Sequence, residues 1–375
     1  MNIFQKSLLL RDLAVLKLFP SPKGERKGTL ILRLDRIGDF ALSAPFLKSV
    51  LSQEEKNFLV VNELWSSLCQ KLFPEAEILP LAPGKFLNDP LYRKEMLKKI
   101  TSLKVRRLLQ PRFYRELFVE ELLALAAAPE ETLRFQATPF HLQPGLLKLF
   151  SASGASEIEY IPGEHELQRN ARFAKHAAPE CTLENPWLTK PFPLPEKYRS
   201  RKYVCVFPGS GKGKICCWQP EKWGKLLNSF DAPFYLITGT PAEKEMINSI
   251  LRLLPAGRAE AVTDLTLEEF AGVVSHASCA LGNDTGGIHL AAMSGVPSLA
   301  VTGQGQPGWF LPYPDSEFLP PGAAAPLVVT SSPRSCANCF WRCPALTEGR
   351  CPCVAEISVE EVQRAIEKSN FSAFL

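Results

Sequence analysis

With 375 residues, 46% of them apolar and 22% charged, the chain can bury one or two full hydrophobic cores and reads as a globular protein of two domains. A formal net charge of +4 is too mild to mark a nucleic-acid binder. The one basic run (Arg93, Lys94, Lys98, Lys99, Lys104, Arg106, Arg107, Arg112, Arg115) lacks the interleaved aromatics of a base-stacking platform, which leaves a solvated or an anion-attracting face.

The opening "MNIFQKSLLLRDLAVLKLF" carries Lys6, Arg11, Asp12 and Lys17 inside its apolar pattern, so it is not expected to be a signal peptide or a membrane span. Leu9, Leu13 and Leu16, with Phe4 loosely, recur at helical spacing and predict an amphipathic helix. It either packs on its own domain or lies on an anionic membrane surface, and "PSPKGERKG" follows as a basic linker closing residues 1–28. Lone cysteines in apolar runs, such as Cys205 and Cys279, read as reduced small hydrophobes, so the cytoplasm is the expected compartment.

From residue 29 the pattern is α/β. "GTLILRLD" predicts a buried strand, "FALSAPFLKSVLS" a helix capped by Ser43 with Pro45 in its first turn, and "NFLVVNE" the next strand. "EELLALAAAPEE", "FHLQPGLLKLFSAS" and "GEHELQRNARFAKHAA" are helical by period, and this first domain closes near residue 190. The proline-rich stretch "NPWLTKPFPLPEKYRSRK" predicts an interdomain linker, placed at 191–201. A second domain, 202–356, alternates the strands "YVCVFPG", "PFYLITG", "AEAVTDL" and "SCALGND" with helices, and residues 357–375 form a last helix. Strands returned by helices pair in parallel, and such sheets bind ligands beyond their carboxyl ends, here in a cleft expected between two Rossmann-like domains.

Three strand-end segments carry chemistry. In "LGNDTGGIHLAAMSGVPSLAVTG" the turn Asn283 to Gly287 lies at the mouth of a helix, where free N–H groups and the helix dipole favour an anion such as phosphate. Gly286 and Gly287 permit close backbone approach, Asp284 and Thr285 can cap the helix or bond a ligand's hydroxyls, and His289 reads as a buried orienter. In "FPGSGKGKICCW", Gly209, Ser210, Gly211 and Gly213 permit a backbone nest for phosphate oxygens, to which Lys212 and Lys214 add positive charge, although the spacing is not that of a P-loop; a solvated basic turn is the alternative. "LRLDRIGDFALSAP" sets Asp35, Arg36 and Asp39 around Gly38 past the first strand. A carboxylate facing a diphosphate cradle suits glycosyl transfer from a nucleotide sugar, with a general base on one side and a stabilised leaving group on the other.

These segments, with "LITGTPAEKE" and "DLTLEEFAGVVSHA", stand in the order of glycosyltransferase family 9, the ADP-heptose:lipopolysaccharide heptosyltransferases, which the chain resembles from about residue 29. The resemblance implies a GT-B fold whose C-terminal helix, "SVEEVQRAIEK", crosses back to the first domain. It implies inverting transfer without a catalytic cofactor, from ADP-heptose to a lipopolysaccharide or other envelope-glycan acceptor. Asp39 would be the catalytic base, with Ser210, Gly211, Lys212, Lys214, Glu243, Asp284, Thr285, Gly286, Gly287 and His289 binding the donor. Arg36, Arg112 and Arg115 would hold an acidic or phosphorylated acceptor, at a position peripheral to the inner membrane. Three departures from the family stand out: Cys216 replaces a phosphate-binding lysine of many relatives, Gly287 replaces a proline, and the acceptor-side stretch "LLQPRFYRELFVEELLALAAAP" lacks the glycine-containing segment of the best-known lipopolysaccharide enzymes. A nucleotide-sugar epimerase and a non-catalytic, metal-stapled nucleotide-binding protein are the alternatives.

Finally, "CANCFWRCPALTEGRCPC" crowds Cys336, Cys339, Cys343, Cys351 and Cys353 together. A C-x-x-C pair plus further thiolates can hold a tetrahedral ion, and the alternatives are free thiols or a disulfide. Resemblance to autotransporter heptosyltransferases, which carry an iron-binding cysteine finger there, implies a structural zinc or iron site.

Overall fold

A computed structural model describes residues 3–18, 25–51, 56–137, 145, 154–231 and 234–375. Contacts gather the chain into two compact units, one of Met1–Arg36, Phe46–Pro162 and Asn170–Thr182, the other of Ile37–Pro45, Gly163–Arg169 and Leu183–Leu375.

The first unit holds strands β1 (Thr29–Arg33), β2 (Asn57–Asn62), β3 (Ala76–Leu81), β4 (Arg107–Gln110), β5 (Glu131–Phe135) and β6 (Ser156–Ile158), all parallel, in the order β3-β2-β1-β4-β5-β6. Helices α1 (Ile3–Leu18), α2 (Ile37–Leu51), α3 (Ser66–Leu72), α4 (Pro83–Asn88), α5 (Pro90–Ser102), α6 (Leu122–Ala127) and α7 (Glu166–Ala177) intervene, and the contact division runs through α2 and α7. Leu30, Leu32, Phe58, Val60 and Leu108 of the sheet bury one face against Leu9 and Leu13 of α1, Met96 and Ile100 of α5, and α6. The first helix therefore packs on its own unit, where Asp12 meets the buried Arg93 at 2.9 Å. Among the described residues no helix is long and apolar enough to cross a membrane.

The second unit repeats the plan with β7 (Val204–Phe207), β8 (Tyr235–Thr238), β9 (Ala259–Val262), β10 (Cys279–Asn283), β11 (Ser298–Thr302) and β12 (Leu327–Thr330), in the order β12-β11-β10-β7-β8-β9. Its helices are α8 (Pro220–Asn228), α9 (Lys244–Leu251), α10 (Leu267–Ser275), α11 (Gly286–Met293), α12 (Pro352–Ala355) and α13 (Val359–Lys368). β7, β10 and β11 are buried along their whole length, as strands covered on both faces must be. In each sheet the order reverses at the unit's first strand, so the carboxyl ends of β1 and β4, and of β7 and β10, flank a topological switch point.

Several expectations are corrected. Helix α2 begins at Ile37, so Ser43 and Pro45 lie inside it and Ser43 Oγ bonds the Phe40 carbonyl at 3.1 Å instead of capping. Pro45 has no N–H for the Ala41 carbonyl, and the Trp187 indole donates to that oxygen instead, at 3.1 Å. In the proline-rich stretch Trp187 and Phe192 are buried, and Asn185 donates to the carbonyls of Met293 (2.9 Å) and Pro321 (3.1 Å), within the second unit's long segment Leu183–Leu375. Helix α13 buries Val359, Val362 and Ile366 in the second unit's core. "EELLALAAAPEE" divides between a π-turn (Leu117–Glu121), α6 and the start of β5. The helix predicted over 140–153 lies outside the described residues apart from Gly145.

Candidate active site

Both phosphate-loop candidates follow strands at the second switch point, since β10 pairs directly with β7. After β10, Thr285 takes the N-cap position of α11 without capping through its side chain, and its Oγ1 is buried with no hydrogen-bond partner. The helix mouth thus keeps unused donors beside an unused hydroxyl, an arrangement suited to oxygens of a bound anion. Asp284 Oδ1 lies 3.3 Å from Nε2 of the buried His289, whose Nδ1 meets the Tyr313 hydroxyl at 3.0 Å.

The segment carrying Asp39 packs against this turn. A Cβ on Gly286 would stand 2.7 Å from Ile37 Cγ2 and 3.2 Å from the Gly38 nitrogen; one on Gly38 would stand 3.3 Å from Gly286 Cα and 3.2 Å from His289 Cδ2. Only two glycines allow the approach. Asp39 sits in the first turn of α2, so the amino ends of α2 and α11 meet, both within the second unit. Gly287 has a different neighbour, the Phe207 ring, 2.9 Å from where its Cβ would be.

After β7, the loop is braced from several sides. Asn283 accepts the Trp218 amide at 3.0 Å and donates to the Pro208 carbonyl at 2.6 Å, tying the two strand-end loops together. Glu243 Oε2 accepts the Thr240 amide and hydroxyl at 2.7 and 2.9 Å, and its Oε1 occupies the space a Gly209 side chain would need. Ser210 Oγ accepts the Lys212 amide at 3.3 Å, beside Gly211. Lys212 itself reaches Gln306 at 2.5 Å and lies over the Trp341 ring, while Lys214 is exposed. Cys216 is buried in the core with its thiol pushed up to about 12 by burial, so it cannot take over the charge of a lysine.

In the first unit, Asp35 pairs with the buried Arg33 at 3.0 Å and with Arg112 at 3.5 Å, and Arg112 also reaches Glu120 at 3.0 Å. Burial raises the Glu120 carboxyl, with Arg112 opposing. This cluster lies at the ends of β1 and β4, the first unit's switch point. Arg36 is exposed. Arg115, expected at an acceptor, is interior: it pairs with buried Glu121 at 2.8 Å and donates to the Phe135 carbonyl.

The expected metal site is not assembled. Among the described residues no group of three or more His, Cys, Asp or Glu side chains converges to hold an ion. Cys351 and Cys353 are buried with core residues, Cys353 Sγ accepts the Gln304 amide at 3.3 Å, and Cys351 shares a hydrogen bond with Cys343. Cys336, Cys339 and Cys343 are partly exposed, and all five are free thiols. The loop instead buttresses the site: Arg350 donates to the carbonyls of Lys214 (3.2 Å) and Cys217 (3.1 Å), and the Cys351 amide to Ile215 (3.0 Å).

Residues 145–319 match the model of glycosyltransferase family 9 (heptosyltransferase). The chain carries a glycosyltransferase family 9 domain. It is thereby a glycosyltransferase, with the Asp-Thr-Gly-Gly turn and the Pro-Gly-Ser loop inside the matched stretch and Asp39 before it. A search of curated proteins gives no match. Among solved structures, the family 9 glycosyltransferase of Veillonella parvula is 15% identical with a TM-score of 0.66, covering 93% of this chain and 98% of that one. E. coli ADP-heptose lipopolysaccharide heptosyltransferase II is 14% identical with a TM-score of 0.60, covering 91% and 98%. The iron-containing dodecameric heptosyltransferase TibC of enterotoxigenic E. coli, in complex with ADP-D-beta-D-heptose, is 14% identical with a TM-score of 0.52, covering 92% and 76%. At these identities the likeness shows the family 9 fold.

Gln306, His165 and Tyr313 were not among the site residues expected from sequence, and Asn283 entered only as the first residue of its turn. A buried asparagine closing an apolar strand was visible in "SCALGND"; nothing in "LPYPDSE" marks Tyr313.

Proposed function

We propose that this glycosyltransferase moves heptose from ADP-heptose to a lipopolysaccharide or other envelope-glycan acceptor with inversion, using Asp39 as the general base. The supporting observation is the glycine-to-glycine contact that sets the first turn of α2, with Asp39, against the turn of Asp284 and Thr285. The donor diphosphate would lie at the mouth of α11, on its backbone N–H groups, Thr285 Oγ1 and the Ser210 loop. Those donors stabilise the charge the leaving diphosphate develops. Asp39 would accept the proton of an acceptor hydroxyl as it attacks the anomeric carbon opposite the departing phosphate, and Arg36 would attract an acidic acceptor. A position on the cytoplasmic face of the inner membrane belongs to the same reading, supported by the exposed Lys94, Lys98 and Lys99 of α5.

Asp39→Asn tests it. Turnover with ADP-heptose and acceptor should fall about 10²- to 10⁴-fold while donor affinity by calorimetry stays within about threefold. Retained turnover rejects the base, and conversion of donor without acceptor would identify an epimerase instead.

A further inference from the structure

We propose that Tyr313 is a positioning residue that holds Asp284 toward the donor through the imidazole of His289. Side chains from two stretches of the second unit form the chain: Asp284 Oδ1 to His289 Nε2 at 3.3 Å, and His289 Nδ1 to the Tyr313 hydroxyl at 3.0 Å. The His289 and Tyr313 rings lie parallel at 8° with centroids 5.9 Å apart, and His165 meets the Tyr313 ring edge-on at 5.5 Å. Packing therefore fixes the rings as well as the bonds.

The partners set the protons. An ionised carboxylate can only accept, so the neutral imidazole carries its hydrogen on Nε2 and presents a lone pair at Nδ1. The Tyr313 hydroxyl must then donate to Nδ1. Burial, with the Asp284 charge adding, raises the Tyr313 phenol well above its ordinary value, so that hydrogen is retained. Without the hydroxyl, the buried Nδ1 lone pair has lost its donor and the ring the bond that fixes its rotation, so Nε2–H is no longer held on the Asp284 carboxylate. The neighbouring Thr285 Oγ1, buried and unpartnered, marks where the positioned carboxylate meets a ligand. His289 Cδ2 also borders Gly38, so the same ring supports the segment carrying Asp39.

The inference rests on Asp284 as a donor ligand, and its test separates the two claims. Nitrogen-15 correlation spectra of the ligand-free full chain should show His289 as the Nε2–H tautomer, and Tyr313→Phe should move its Nδ1 resonance downfield, to that of a lone pair without a hydrogen bond. With ADP-heptose, Tyr313→Phe should raise KM for the donor about tenfold and change kcat less, the loss expected for one hydrogen bond to a charged network. In a His289→Ala background the Tyr313→Phe effect should vanish, and His289→Gln, which keeps a donor near Asp284, should recover part of the affinity. An Nδ1–H tautomer in the native protein, an unchanged Nδ1 resonance in Tyr313→Phe, or additive effects of the two substitutions would overturn the proposal. Absence of turnover with every nucleotide sugar, alongside the expected change at Nδ1, would instead overturn the functional reading and leave the relay standing.

Discussion

Gly286 and Gly38 were legible as glycines in strand-end motifs, but the partner of each was not. Close approach to a ligand's phosphate was the sequence expectation for Gly286, whereas the structure sets it against Ile37 and Gly38. Spacing along the chain carries no trace of a neighbour so far away in sequence. Gly286→Ala should therefore destabilise the protein by about 1–3 kcal/mol through overpacking. Since the nearest atom is a side-chain methyl, Ile37→Ala should recover part of that loss, which paired denaturation curves would measure. His165 offers a test by pH. Burial lowers its ring to about 4, while its Nδ1 accepts the Leu167 amide at 3.0 Å. The unfolded chain takes up this proton near pH 6.5, so between 6.5 and about 4 the unfolded state binds more protons and stability falls as pH falls. The stabilisation is complete above pH 6.5, and its loss amounts to about 3 kcal/mol. His165→Asn keeps an acceptor for Leu167 without the charge, and urea titrations at pH 7 and 4.5 should show it losing less on acidification than the parent.

Helix α2 was half legible. Its existence follows from the apolar period of "FALSAPFLKSVL", yet its start was placed late because proline so often opens a helix. The interior proline is tolerated because its missing N–H is replaced from outside, by the Trp187 indole on Ala41. Trp187→Phe should leave that carbonyl unpaired and cost about 1–3 kcal/mol. Adding Pro45→Ala restores an N–H for Ala41 and should reduce the loss; thermal unfolding of the single and double variants checks the sign. The same side chain anchors the proline-rich stretch. Prolines around Trp187 and Phe192 erase the helical period that would have announced a packed segment, while the aromatic rings still bury. Segment 163–169 follows similar logic, since the Glu166 amide bonds the Trp309 carbonyl at 2.9 Å and the Arg169 guanidinium lies over the Trp309 ring.

Across the molecule, two sheets with the same strand order put every sequence-identified loop at a carboxyl end, which is why alternating strands and helices sufficed to find the donor side. The acceptor side was harder. Arg112 and Arg115 look alike in a basic stretch, and only the π-turn at Leu117–Glu121, bringing two consecutive glutamates inward, commits one to the interior and the other to Asp35. The cysteine spacing was equally ambiguous. Five thiols within one loop could gather on an ion or pack as small apolar groups, and burial of Cys351 and Cys353 beside Val354 gives the second arrangement in the structure.

The bond from Trp187 to Ala41 has one more consequence. An indole whose N–H rests on the helix that begins with Asp39 is a built-in optical probe. Any motion of that helix alters the polarity felt by the excited ring, so with the chain's five other tryptophans replaced by phenylalanine, emission from this one would follow occupancy of the site without any added dye.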